Sequence, residues 1–272
     1  MNTLQRIALW EGNTTTMWRS GFANMLRKEN HAWWRTRRWW MQLGLWTLVI
    51  DGLLALILFG LVKVQTDATQ NVEQFDLVTM GLQAVFQLGT TFVAAGVIIL
   101  GQGLLLGERE SGVAEWLLTK SVSRAAYLLA KLVASLGGVL VTMIVVPCGI
   151  AYGLLAIANG APLSLLSYLT CVLGLSLHTL FYLTLTLLLG VLVDTRGKLL
   201  GAALGVLFGG MVLPGLLGRL ALAMPWVLPN LLPAFGAGAT LPVSIWLPLG
   251  MTAAFTVVFV AAAIYQFQRL EF

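Results

Sequence analysis

The sequence predicts an all-α polytopic membrane protein, a bundle of six transmembrane helices, on three observations. The first is composition. Of 272 residues, 58% are hydrophobic and only 10% are charged, with mean hydropathy +0.88, whereas a soluble domain carries about a quarter charged residues. The second is distribution. Six runs, 39–64, 77–106, 126–158, 163–193, 199–217 and 242–267, are each long and apolar enough to cross hydrocarbon, which takes roughly 20 residues. The third is the placement of positive charge. Fourteen of the 16 Lys and Arg flank one end of these runs, and only Lys63 and Arg219 flank the other. Basic flanks resist translocation, so the crowded side is expected to be cytoplasmic, with both termini on it.

The same features limit the classes of function. Basic residues sit beside the spans and not in a separate soluble unit, so the net charge of +5 points to anionic membrane lipids and away from nucleic acid. Cys148 and Cys171 lie inside apolar runs, which offers neither a disulfide framework nor a CxxC metal site. With two histidines in all and no H-E-x-x-H pattern, intramembrane hydrolysis and metal binding have no residues to carry them. The first 38 residues hold no uninterrupted apolar core, so no cleavable signal is expected.

In chain order, residues 1–38 form an N-terminal segment and 39–272 the six-helix unit. Trp18, Phe22, Met25, Leu26 and Trp33 follow helical spacing, and Arg19, Arg27 and Glu29 take much of the remaining circumference. Thr14 to Thr16 offer an N-cap. The expectation is an amphipathic helix in the inner interface, anchored by the WWRTRRWW stretch at 33–40; a charged flank without helical order is the plainer alternative. In the first span, Asp51 lies about 20 Å along the axis from Arg38 if the chain between is helical. An intramembrane carboxyl usually faces a cavity or a partner. Asp51 is expected to touch substrate, to pair with His178 in the fourth span, or simply to bond to a neighbouring helix. His178 alone reads most plainly as a satisfied interior histidine.

Spans two and three are joined by Gly107 to Arg124, GERESGVAEWLLTKSVSR. Charge is so scarce elsewhere that this stretch belongs in water, against a partner, or both. Glu108, Arg109 and Glu115 present a charged surface, Val113, Trp116 and Leu117 an apolar one, and Ser111 with Gly112 supplies a break or cap. In the fifth span Gly201, Gly205 and Gly209 recur every four residues, a spacing that lets helices approach closely. Between spans five and six, Pro214, Pro225, Pro229, Pro233, Pro242 and Pro248 forbid a continuous helix. Residues 218–241 are too apolar for a free loop, so short broken helices dipping into the outer leaflet are expected.

The stretch from Glu108 to Lys131 resembles the coupling segment of ABC-2 type transporter permeases. The matching positions are Glu108, Glu110, Gly112, Glu115, Leu117, Leu118, Val122, Ser123, Arg124 and Lys131, while Val113 stands where the family usually has Thr and Ser121 where it has Pro. The resemblance implies a permease subunit of an ATP-driven transporter, an exporter, in a prokaryotic inner membrane. No G-x-x-x-x-G-K-[ST] phosphate loop is present, so ATP and Mg would sit on a separate ABC ATPase subunit. Glu108, Arg109, Glu110, Gly112, Glu115, Trp116, Leu117 and Arg124 would contact that ATPase. A second permease subunit, identical or different, is also implied. An ion-coupled secondary transporter using Asp51, or a non-transporting assembly subunit, are the alternative readings.

Overall fold

In hydrocarbon every backbone N–H and C=O must be satisfied within its own segment, so apolar runs of this length become helices. The computed structural model describes residues 21–61, 77–113, 122–239, 241 and 244–270. A first helix, α1, covers residues 21–34. Six helices long and apolar enough to cross a membrane follow: α2 (Arg38–Gly60), α3 (Val78–Glu110), α4 (Arg124–Asn159), α5 (Leu165–Leu192), α6 (Arg196–Ala223) and α8 (Trp246–Arg269). Between the last two lies α7 (Leu228–Gly236). No strand occurs among the described residues.

The ends have local causes. At α3 the chain turns off at Gly112, whose φ of 70° suits glycine because a Cβ is disfavoured there; its N–H bonds to the Arg109 carbonyl at 3.2 Å. Ser123 and Thr195 cap α4 and α6 by accepting from Ala126 N and Lys198 N, the pairing that satisfies first-turn amides. Pro214 sits inside α6, which then tightens into a 3₁₀ turn at Gly218–Ala223. A second 3₁₀ turn at Pro225–Val227 leads into α7. The broken segment expected from the prolines is therefore present, packed on the bundle through buried Leu228, Leu231 and Leu232.

Burial ranks the helices. The most apolar stretch of α5 is 61% buried and that of α6 only 22%, which makes α5 the spine, contacting α3, α7 and α8, and α6 the outermost span. Large side chains meet glycines at the close crossings. A Cβ on Gly96 would lie 2.2 Å from the Trp46 ring, and one on Gly138 would lie 2.0 Å from Trp33. Gly201, Gly205 and Gly209 behave otherwise: a Cβ on any of them would meet nothing within 4 Å. Among the described residues, no other part of this chain approaches these three glycines closely.

The two longest helices exceed the thickness of the hydrocarbon. At 33 and 36 residues, α3 and α4 are roughly 50 Å long, against about 30 Å of hydrocarbon. The first ten residues of α2 pack beside Leu140–Val145 of α4, so α4 begins about four turns before the level at which α2 starts. In that step lies α1, with Met25 and Trp33 buried and Phe22 and Leu26 packed on the core. The expected apolar face is thus seen from Phe22 onward, while Trp18 and Arg19 lie outside the described residues. Arg38 caps the Trp33 ring at 5.7 Å, and Trp39 stacks on Trp40, an aromatic and basic band of the kind that marks a membrane boundary.

Candidate functional site

The predicted segment 107–124 begins in the last turn of α3 and ends at the first residue of α4. Glu115, Trp116 and Leu117 lie outside the described residues. Helix α3 does not stop with its apolar run at Leu106 but continues to Glu110, because beyond the hydrocarbon a charged turn stays solvated while its backbone bonds continue. Glu108, Arg109 and Glu110 are consequently fixed on a rigid helix. The Ser111 hydroxyl donates to the Gly107 carbonyl at 2.9 Å and closes the last turn.

Each of these side chains turns to a different neighbour. Glu108 faces inward. Its Oε1 lies 3.0 Å from Lys131 Nζ, which also sits 3.1 Å from Glu29 Oε1 of α1. The Tyr127 hydroxyl donates to Glu108 Oε2. Lys28 adds a second cation, 3.3 Å from Glu108 Oε1 and 3.7 Å from Glu29 Oε1. The Lys131 side chain is only 2% exposed, a burial tolerated because two carboxylates match it. Its ammonium also lies 5.2 Å from the Tyr127 ring centroid, and that ring stacks on Phe267 near the end of α8. One cluster thereby ties α1, α3, α4 and α8.

Arg109 leans the other way. Its Nη1 donates to the carbonyls of Gly190 (3.1 Å) and Val193 (3.3 Å) at the end of α5, and Nη2 lies 3.5 Å from Asp194. Carbonyls at a helix C-terminus lack intrahelical donors and carry the negative end of the dipole, so a guanidinium suits them. Arg124 does the same for the last span, donating from Nη1 to the carbonyls of Phe267, Gln268 and Leu270 at 3.2, 2.9 and 2.7 Å. Glu110 accepts from Arg196 Nη2 at 2.6 Å, with both side chains about half exposed. Of the described residues expected at a partner surface, Glu108, Arg109 and Arg124 serve this chain's own helices. Glu110, with Ser111 and Val113, stays open.

Tyr127, Lys131, Glu29 and Lys28 were not expected as a site. Apart from the adjacent Lys28 and Glu29, their partners are 19 to 102 residues apart in sequence, beyond the reach of local spacing. A signal was nevertheless present: Arg124, Tyr127 and Lys131 recur at three and four residues, a polar stripe on the first turns of an otherwise apolar helix.

Deeper in the bundle, the structure does not bring Asp51 and His178 together. Asp51 sits in a π-turn of α2 at Leu48–Gly52, buried near Cys148 and Tyr168, and neither carboxylate oxygen has a hydrogen-bond partner. The expected bond from Asp51 to a neighbouring helix is therefore absent among the described residues. His178 Nε2 lies 3.2 Å from the Thr90 carbonyl, in the π-turn Gly89–Val93 of α3. Cys148 and Cys171 are buried, unpaired thiols, as the apolar runs around them suggest.

Residues 54–265, from within α2 to within α8, match the family model described as ABC-2 family transporter protein. No curated protein matches the chain.

Proposed function

The chain belongs to the ABC-2 family of transporter proteins as a membrane-spanning permease subunit, and we propose that it exports its cargo under the drive of a separate ATPase subunit docked on residues 107–124. The observation that carries this reading is the pair of protruding helices. Residues 107–124 join the tips of α3 and α4, which are the longest helices and extend well beyond the start of α2. A push on this link would be delivered to two helices that are each long enough to cross the whole membrane. Positive charge gathered at this end supports placing it, with both termini, on the cytoplasmic face of a prokaryotic plasma membrane.

A second permease subunit fits the open face of α6. Lipid gives no hydrophobic drive to helix pairing, so close approach over small residues supplies the contact instead. Gly201 and Gly205, which meet nothing among the described residues, provide such a row.

The test is affinity purification of tagged protein in mild detergent with its ATPase activity measured. Three forms are compared: wild type, Glu110→Lys with Glu115→Lys, and Glu110→Lys with Arg196→Glu. The last restores the internal pair with its polarity reversed, so it separates loss of docking from loss of fold. ATPase activity should accompany the wild type and be lost from both variants. An ATPase absent from the wild type, or retained by both inserted variants, overturns the reading.

A further inference from the structure

Half of the buried side-chain polar atoms without a hydrogen bond among the described residues face a single cavity. They are His178 Nδ1, the Tyr182 hydroxyl and Trp226 Nε1. The cavity has a volume of about 220 Å³ and lies where α3, α5, α6 and the broken segment meet. Buried polar groups in proteins are almost always paired, and inside a membrane an ionisable or polar group without a partner marks a site by default. Three such groups converging from two elements far apart in sequence are not a local packing defect.

Their chemistry can be worked out. The Thr90 carbonyl can only accept, so His178 Nε2 carries the proton of that 3.2 Å contact, and in the neutral ring Nδ1 is left as an acceptor. The Pro225 carbonyl also approaches this ring, but no bond of ordinary geometry to Nδ1 closes. The Trp226 indole N–H can only donate, and the Tyr182 hydroxyl does both. That hydroxyl approaches the indole, but no bond of ordinary geometry closes between them. The backbone adds an acceptor. Pro214 has no N–H, so the Gly210 carbonyl, one turn earlier on the cavity wall, loses its helical donor. Gly210 itself is required: a Cβ there would lie 2.1 Å from the Trp226 ring.

Two properties narrow the occupant. No Asp, Glu, Lys or Arg lines the cavity, so a formal charge would enter without compensation. The volume is below the 300–1,000 Å³ of pockets that hold drug-sized ligands. His178 and Tyr182 form a buried floor, whereas Gln87, Met211 and Asn230 are exposed at the rim. Met211 lies on α6, the outermost span, so the opening faces the surroundings of the bundle and not its core.

We propose that this cavity is a binding site for a small uncharged group carrying both hydroxyl and carbonyl functions, the chemistry of a glycerol ester, held by Trp226, Tyr182 and His178. The group belongs either to a lipid head or to a free solute. The site lies within one chain and depends on neither an ATPase nor a second permease.

The experiment follows the indole N–H resonances of the full chain, labelled with ¹⁵N-tryptophan in micelles, with Trp226 assigned by Trp226→Phe. The probes are 1-oleoylglycerol, glycerol monoacetate and oleate. A saturable shift of the Trp226 signal is expected with 1-oleoylglycerol and not with oleate. A similar shift with glycerol monoacetate assigns the site to free solutes; none with it assigns the site to lipid heads. Tyr182→Phe should weaken binding about tenfold, the loss of one hydrogen bond in a water-poor site, and His178→Phe comparably, with the other indole signals of the ten tryptophans reporting an intact fold. The proposal is overturned if neither ester shifts Trp226 saturably and its N–H only exchanges with water, if oleate acts as well as the esters, or if both variants bind like wild type.

Discussion

Replacing Lys131 by Met is the sharpest test of the charged cluster, because the thioether keeps the aliphatic stem's packing and removes only the charge. In the wild type two cations, Lys28 and Lys131, face two carboxylates, Glu29 and Glu108, all within 3.7 Å. The variant leaves one excess negative charge. Breaking a buried ion pair costs about 3–5 kcal/mol. The low end applies here, since the two glutamates are 14% and 21% exposed and Lys28 remains beside both. The expected loss is therefore about 3 kcal/mol, while Lys28→Ala, at a side chain 47% exposed, costs under about 1 kcal/mol.

The assay is reversible unfolding in mixed micelles, with a second leg to separate charge from strain. Lys131→Met with Glu29→Gln and Glu108→Gln replaces the charged group by neutral ones of similar volume, which is often close to neutral in energy. The triple variant should recover most of the loss, so the effects are strongly non-additive. A loss below about 0.5 kcal/mol for Lys131→Met, the range of ordinary surface changes, would falsify the cluster as drawn. Additive losses in the triple variant would equally show that these groups do not interact.

Other perturbations separate neighbouring features. Gly138→Ala drives a methyl into the Trp33 ring and should cost about 1–3 kcal/mol by overpacking, with α1 as the element displaced. Gly205→Ala has open space around it and should leave the stability of a single chain within about 0.5 kcal/mol; a larger loss in monomeric protein would mean that its face is covered from within. Arg124→Ala strips donors from the Phe267, Gln268 and Leu270 carbonyls. Hydrogen exchange in the last turn of α8 should then speed up about tenfold, the effect of roughly 1.4 kcal/mol of local opening, and unchanged exchange would show that the tail is held elsewhere.

What the sequence made legible follows from the range of the forces involved. Apolar runs are a one-dimensional property, so all six spans and the broken stretch after Pro214 could be read directly. The end of α3 could be read in part: the apolar run closes at Leu106, but Ser111 and Gly112 already offered a break, and the helix runs on to Glu110 and turns off at the positive φ of Gly112. Glycine spacing identified a face at Gly201, Gly205 and Gly209 but not what stands opposite it. Three of the glycines that admit a neighbour, Gly96, Gly138 and Gly210, receive a tryptophan from another segment, a pairing that no local pattern encodes. His178 is the buried, carbonyl-bonded residue that its surroundings suggest, but the cavity beside it becomes visible only when Tyr182 and Trp226 are placed around it.

The internal partners of Glu108, Arg109 and Arg124 change how the segment they flank would work. On the proposed reading, force enters at 107–124 and has to reach every span. From the α3 tip it passes to α5 through Arg109 and to α6 through Glu110 and Arg196. From the start of α4 it passes to α8 through Arg124 and to α1, and so by chain continuity to α2, through Lys131 and Glu29. On that reading, residues that the sequence places at a docking surface would also gear that surface to the bundle. A substitution at Glu108, Arg109 or Arg124 that uncouples transport would therefore leave ATPase binding intact, whereas one at Glu110, which meets Arg196 and also faces the proposed partner, would lower both. That opposition, measured as transport against co-purified ATPase, distinguishes a transmission from a contact.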